Sequence, residues 1–402
     1  MSFLARLGFL AVICALVLLG QPVPASAKVK VAMCHRCHTM HDSEDGNSVF
    51  KSNMETASVS GPAENLLNTT CVGCHTYTGS DGLLIDPTYN TPFVYDTMGP
   101  SGGIGLAGGN FYWVAAKSGF VPHVNSKEGD DTYATDVLKA KDSRGHNVWG
   151  ISNRDVRFPD EAPLIIWHYN GYDPGNCLCH DTLAARAEEP LFNLEGCQGC
   201  HCKVDHHGAI QDSNQWYRWL IAPHKMPAGA PIGHVEGIGD DNWEATKSSA
   251  DHNQYKGTSG VYSREDGESY LNNYKTTTAF CLGCHIVAGQ TGEDSSWHRH
   301  PTDVKLSKVG YWSQTTKALY DPLVPVGRTD LEKFATSYAG TDKPAKSAVR
   351  PDTDVVICLS CHRAHGSPNP FMLRWPYTLL NKQNKDTIKL GTACRVCHRD
   401  KP

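Results

Sequence analysis

The sequence predicts a chain that is mostly coil with short helices, with little or no β-sheet, built around something other than a large core of its own apolar side chains. Three observations predict it. The pattern C-x-x-C-H occurs six times. Glycine and proline are abundant, at 37 and 23 residues against a hydrophobic content of 40%, and both weaken the interiors of helices and strands. Long helical periodicities are scarce, and no series of alternating segments suits a sheet. A chain of 402 residues ordinarily buries a sizeable apolar core, so this one is underprovided unless other material fills its interior.

At the amino terminus Arg6 precedes the apolar run LGFLAVICALVLLG, and PVPASAK offers small residues for cleavage after Ala27. Residues 1–27 therefore read as a cleaved signal peptide and residues 28–402 as a single exported domain. The apolar run is too short for a convincing membrane span, and the mature chain holds no later segment able to cross a bilayer. The leader carries one of the 37 basic residues and no acidic one, which moves the formal charge from −5 to −6. That balance is not a nucleic-acid binder's, nor that of a solubilising acidic tail.

Cleavage removes Cys14 and leaves fifteen of the 16 cysteines, of which twelve form the six motifs. In order these are Cys34/Cys37/His38, Cys71/Cys74/His75, Cys197/Cys200/His201, Cys281/Cys284/His285, Cys358/Cys361/His362 and Cys394/Cys397/His398. Two thiols at this spacing reach the two vinyl groups of one porphyrin, and the imidazole that follows turns beneath the iron as an axial ligand. Zinc sites have no reason to demand that histidine each time, and disulfide frameworks have less. The expected architecture is thus that of a multihaem cytochrome c, in which the cofactors, haem c at six sites, form the core. With roughly 60 residues per haem, neighbouring rings stay close, as in a continuous chain. Short helices are expected to carry several motifs, such as the one around TTTAFCLGCH.

Twenty histidines are present, and those beyond the motifs outnumber the irons that need a second ligand. This favours bis-histidine iron, which passes electrons and holds no open position for substrate. His41 follows His38 by three residues and His365 follows His362 by three, too close to reach across their own haems and better placed for adjacent ones. His146 in SRGHNVW and His300 in WHRHP stand in compact polar contexts that read as ligand-bearing turns, while His206 and His207 compete for one role.

The stretches MCHRCHTMHDSEDG, SGPAENLLNTTCVGCH, SRGHNVW, CLGCH with WHRHP, CLSCHRAHGS and CRVCHRD resemble the outer-surface hexahaem cytochromes of metal-respiring bacteria, a family of extracellular cytochrome nanowires. The resemblance covers residues 34–75 and 281–398, thins at 144–149 and 197–208, and leaves a divergent middle segment around 151–280. It implies bis-histidine haems chained through the subunits of a filament. It also implies that His41 ligates a haem of the neighbouring subunit and so bolts a head-to-tail homopolymer together. The family's GHN, RHP and CHRAH patterns fall on His146, His300 and His365. Where the family shows CHDPHG this chain has CHCKVDHHG, and His207, directly before the glycine, is the match.

One site departs from the family. GNCLCHD places a single residue between Cys177 and Cys179, with His180 behind, and Cys202 stands nearby in CQGCHC. Either Cys177, Cys179 and His180 hold a seventh haem, or Cys202 pairs with one of the two cysteines in a disulfide; each reading leaves one thiol over. The histidine directly after the second cysteine and the surplus of distal histidines, His168 among them, favour the seventh haem.

The expected role is a secreted, extracellular or outer-surface electron carrier and not an enzyme. Outer-membrane or periplasmic cytochromes would be its donors, and minerals, electrodes or other cells its acceptors. A non-polymerising periplasmic or secreted shuttle, and an oxyanion reductase with one open iron, are the competing readings.

Overall fold

The computed structural model describes residues 34–39, 43–44, 47–48, 66–100, 105–115, 144–146, 148, 151, 197, 200–201, 204, 206, 216–221, 234–259, 275–284, 302–308, 319–369 and 372–375. The expectations for His41, His168, Cys177, Cys179, His180, Cys202, His207, His285, His300, Cys394, Cys397 and His398 lie outside these residues.

The motifs themselves make the first helices. Cys34–Arg36 is a 3-10 turn, and α1 spans Cys71–Cys74. The longer α2 covers Thr277–Cys284, the helix expected around TTTAFCLGCH, and α3 covers Cys358–Cys361. Thr276 starts α2, its hydroxyl accepting from the Ala279 N–H at 3.0 Å, which satisfies one of the donors a helix start leaves open. At α3 the Ser360 hydroxyl accepts from the Ile357 N–H at 3.0 Å and donates to the Pro325 carbonyl. Each turn is short because C-x-x-C-H needs only one.

The expectation of little or no β-sheet is overturned. Two small pairs, β1 (Ser43–Glu44) with β2 (Asn47–Ser48) and β3 (Thr76–Tyr77) with β4 (Tyr95–Asp96), accompany a five-stranded mixed sheet. Its strands are β5 (Trp216–Ile221), β6 (His234–Ile238), β7 (Gln254–Lys256), β8 (Gly327–Arg328) and β9 (Asp354–Val355), hydrogen-bonded in that order. All neighbours run antiparallel except β7 and β8, which are parallel. Strands this short, brought together from positions 216 to 355, hold too few residues for alternation to show in the sequence. Only β6 alternates visibly, with Val235 and Gly237 turned inward.

Glycine, read in the sequence as a mark of irregular chain, here lets strands approach. A Cβ on Gly327 would stand 2.7 Å from the Ile357 side chain and 3.0 Å from the Gly257 Cα, so the β7–β8 crossing has no room for one. Under the sheet lies an ordinary apolar core of Tyr217, Val235, Tyr255, Val355 and Ile357, against which Phe280 of α2 and Leu359 of α3 pack. Val235, Tyr255, Val355 and Ile357 are fully buried, each worth about 1.5–3 kcal/mol of transfer free energy. The sheet is therefore the platform on which the fourth and fifth motifs sit, α2 and α3 lying against each other. A second cluster, Phe111, Val114, Ala115, Val148 and Ile151, packs against Val72 of α1 and Cys197.

A polar stitch ties three of the short strands. Arg328 of β8 is fully buried, pairs with Asp354 of β9 and bonds Gln254 of β7 at 3.1 Å and the Lys346 carbonyl at 3.1 Å. Strands with two residues each have little ladder to hold them, and these bonds supply what the ladder lacks.

Candidate haem site

The same local geometry recurs at the motifs. The histidine N–H bonds the first cysteine's carbonyl at His38 (2.9 Å), His75 (2.9 Å), His201 (3.0 Å) and His362 (3.0 Å). One helical turn sets the two thiols three residues apart on one face. In the third motif the Cys200 N–H also bonds the Cys197 carbonyl, at 3.2 Å, so Cys200 sits in the turn that the spacing predicts. For the fourth motif, α2 contains Cys281 and Cys284.

Three motifs converge. Cys197 and Cys200 of the third motif are both half-buried. The Cys197 thiol is hydrogen-bonded to Cys71 of the second motif, and Cys200 opposes its ionisation. The cause is packing, because Val72 of α1 and Cys197 lie against the same apolar cluster and this brings Cys71 alongside. The bond, with burial, holds Cys197 protonated, and the same bond, against burial, brings Cys71 down to about 7. Cys74 is raised by burial and then by Cys37 of the first motif. Around this junction gather His75, His146, His201, His206 and His365. The His75 and His206 rings lie 6.3 Å apart, His201 and His365 6.2 Å apart, and Phe111 stacks on His365 at 4.7 Å.

Three buried histidines share one arrangement. His75 Nδ1 lies 2.8 Å from the Pro92 carbonyl, His146 Nδ1 2.7 Å from that of Ala364, and His201 Nδ1 2.8 Å from that of Arg218. A carbonyl only accepts, so in each ring Nδ1 carries the proton and Nε2 carries the lone pair, the arrangement that orients a metal-ligating imidazole. Burial lowers all three pKa values and keeps the rings neutral. His365 is lowered to about 3, by burial first and then by His201, His146 and His75. Its Nδ1 is buried with no hydrogen-bond partner among the described residues, an unmet bonding capacity that a metal would satisfy. The residues present fit haem.

Backbone irregularity aims these acceptors. The β5–β6 pairing breaks register between Trp216 and Ile221, with Arg218 and Trp219 at φ 51° and 56°, and this bulge turns the Arg218 carbonyl toward His201. Gly109, at φ +85°, lets the chain pass the Gly366 carbonyl, which a Cβ would meet at 1.9 Å. The adjoining Gly108 carbonyl accepts the His365 N–H at 2.7 Å.

Of the predicted distal ligands, His146 and His365 are thus brought beside the second and third motifs. His206, passed over in favour of His207, has its ring next to His75. His252, one of the surplus histidines, is fully buried and stacks on Tyr320 with ring centroids 3.4 Å apart. Its Nδ1 bonds the Asn253 carbonyl at 2.7 Å, which marks it as a core residue. Sequence reasoning missed Pro92, Arg218, Ala364 and Gly108, because they act through main-chain carbonyls that carry no residue signature. Phe111 left only an apolar letter to read. Among the described residues no three His, Cys, Asp or Glu side chains converge as a metal-ion site, and no helix is long and apolar enough to cross a membrane.

A protein family described as a doubled CXXCH motif matches residues 352–402, the segment with the fifth and sixth motifs, and supports c-type haem binding there. No curated protein matches the chain. Among solved structures the chain is similar to the OmcS nanowires from Geobacter sulfurreducens determined by cryo-EM. The identity is 20% and the TM-score 0.45, covering 86% of this chain and 84% of that one. It is also similar to the Outer Membrane Cytochrome S filament from Geobacter sulfurreducens, at 19% identity and a TM-score of 0.40, covering 88% and 85% of the two chains.

Proposed function

We propose that this chain is a multihaem c-type cytochrome that carries electrons outside the cell membrane. It would hold six haems, and a seventh at Cys177, Cys179 and His180, with a second histidine offered to six of the seven irons. The observation that carries the reading is six C-x-x-C-H units together with buried histidines whose Nδ1 atoms are committed to carbonyls. When bound, haem iron supplies a one-electron carrier cycling between ferric and ferrous. The chain does the rest. Cysteine pairs would tether the porphyrins, and His38, His75, His180, His201, His285, His362 and His398 would each offer a first ring nitrogen to an iron. His41, His146, His168, His207, His300 and His365 offer the second. The Pro92, Ala364 and Arg218 carbonyls hold rings in one tautomer and orientation, while Phe111 and the surrounding core exclude water and competing ligands.

The working form is a head-to-tail homopolymer at the cell exterior, in which His41 reaches an iron of the next subunit. It accepts electrons from outer-membrane or periplasmic cytochromes and delivers them to minerals, electrodes or other cells. Cryo-EM of secreted material from cells with full haem-maturation machinery tests this. Filaments with continuous rings and His41 bound across the subunit boundary are expected. Discrete monomers with His41 ligating internally would sink the polymer, and an iron with an open distal face would sink the bis-histidine carrier.

A further inference from the structure

We propose that Glu244 is a redox-linked proton site, its carboxylate binding a proton when irons at the third and fifth motifs gain electrons. The inference rests on the multihaem reading above and adds to it a coupling that electron transfer alone does not require. Glu244 is 2% exposed and lies under the sheet platform. Its surroundings are phenolic. The Tyr320 hydroxyl donates to Oε1 at 3.5 Å, and Glu244 opposes ionisation of Tyr217, Tyr255 and Tyr320 alike. The cations facing it are Arg374, Arg363 and Arg218. On its own turn Asp240 is paired with Lys346, and His252, stacked on Tyr320, is kept neutral by burial. Burial outweighs the three guanidinium groups and raises the carboxyl to about 7, so near neutral pH both protonation states lie within reach.

Short contacts run from Trp243, the chain neighbour of Glu244, toward both sites. The neighbouring Trp243 ring carries the Arg218 guanidinium at 3.6 Å, and the Arg218 carbonyl holds the third motif's His201 at 2.8 Å. The Trp243 carbonyl accepts from Ala107 at 3.0 Å, and Gly108, next in the chain, accepts from His365 at 2.7 Å. Arg363 directly follows His362 of the fifth motif. Charge added in so buried a region is weakly screened. Each electron passed from a donor cytochrome to a nearby ferric iron adds one negative charge; Glu244 takes a single proton from solvent, which offsets part of the charge these irons gain, and reoxidation releases it. Linkage makes the effect reciprocal. The affected midpoint potentials fall as pH rises from about 7, and level off where Glu244 is ionised in both redox states.

The test is spectropotentiometric titration of the haem-loaded full chain and of Glu244→Gln, from about pH 5.5 to about pH 8.5. The wild type is expected to show a subset of haems whose midpoints decline over the upper part of this range, and Glu244→Gln to lose that decline. Equal declines in both proteins would overturn the proposal. Should Glu244→Gln not accumulate, Glu244→Asp must displace the pH window, and an unmoved window counts against the proposal equally. Wild-type reduction in weakly buffered solution without proton uptake near neutral pH would also overturn it. Haem content separates the two readings. A chain with no haem sinks the cytochrome, whereas a fully loaded chain with pH-independent potentials sinks only the proton site.

Discussion

At His75, His146 and His201 a side chain is made ready for a metal by a bond on its far side. The Nδ1 proton goes to a main-chain carbonyl, burial keeps the ring neutral, and the ring cannot rotate without giving up that bond. Replacing His146 with alanine should leave one iron with an open position. The reduced variant is then expected to bind about one equivalent of carbon monoxide per chain where the wild type binds none, as read from the visible spectrum. Glu244 makes a second prediction at this scale. Its folded pKa of about 7 exceeds the ordinary 4.5, so its protonated form is the one the fold favours. The associated stability is fully present below pH 4.5 and is lost as pH rises through about 7. Glu244→Gln should remove this slope and raise the guanidinium unfolding midpoint at alkaline pH, by the equivalent of about 3 kcal/mol. The motif histidines were plain in the sequence. His252 shows the reverse case, a residue counted as a spare ligand whose stacking on Tyr320 makes it core.

The elements divide into those that local spacing creates and those that exist only through distant partners. C-x-x-C-H turns belong to the first kind, since a five-residue pattern contains its own closing bond from histidine N–H to cysteine carbonyl. The five-stranded sheet belongs to the second. β8 and β9 hold two residues each, and what joins them to β7 is the buried group of Gln254, Arg328 and Asp354. Asp354→Ala would strand the Arg328 guanidinium without its partner and should cost about 3–5 kcal/mol, measured by guanidinium unfolding. Lys333→Ala, which breaks the exposed pair with Asp342, should leave the midpoint where it is. Three of the sheet's strands fall in the segment 216–256. This lies within the middle region that resembles the hexahaem family least, so neither pattern nor likeness announced them.

At the scale of the molecule the interior has two fillings. Around α1, His146 and His365 the space is lined by histidines and motif cysteines, as a cofactor-filled core demands. Beneath the sheet it is filled by Tyr217, Val235, Tyr255, Val355 and Ile357, as in any globular protein. The apparent shortage of apolar residues was therefore only half a guide, because apolar clusters lie both in the platform for α2 and α3 and beside α1. The contracted CLCH site yields a whole-molecule prediction. Intact mass of the mature protein should show seven haems, and Cys177→Ser with Cys179→Ser should remove one of them; a wild-type mass with six would return these cysteines to the disulfide reading.

The sequence alone marks six C-x-x-C-H turns. Cysteine and histidine spacing is local chemistry, and a turn of five residues needs no other part of the chain. It also counts more histidines than the motifs use, His146 and His365 among them. The tertiary structure alone settled which groups hold the His75, His146 and His201 rings, because the Pro92, Ala364 and Arg218 carbonyls come from main chain that any residue type could provide. It alone set Cys197 against Cys71, since no local spacing relates two motifs so far apart in the chain. It alone decided that a sheet carries the fourth and fifth motifs, because β7, β8 and β9 hold two or three residues each and have no periodicity until partners many positions away complete them. And it alone placed Glu244 among three tyrosines and three arginines, since burial from water is a property of the packed chain and not of any stretch of it.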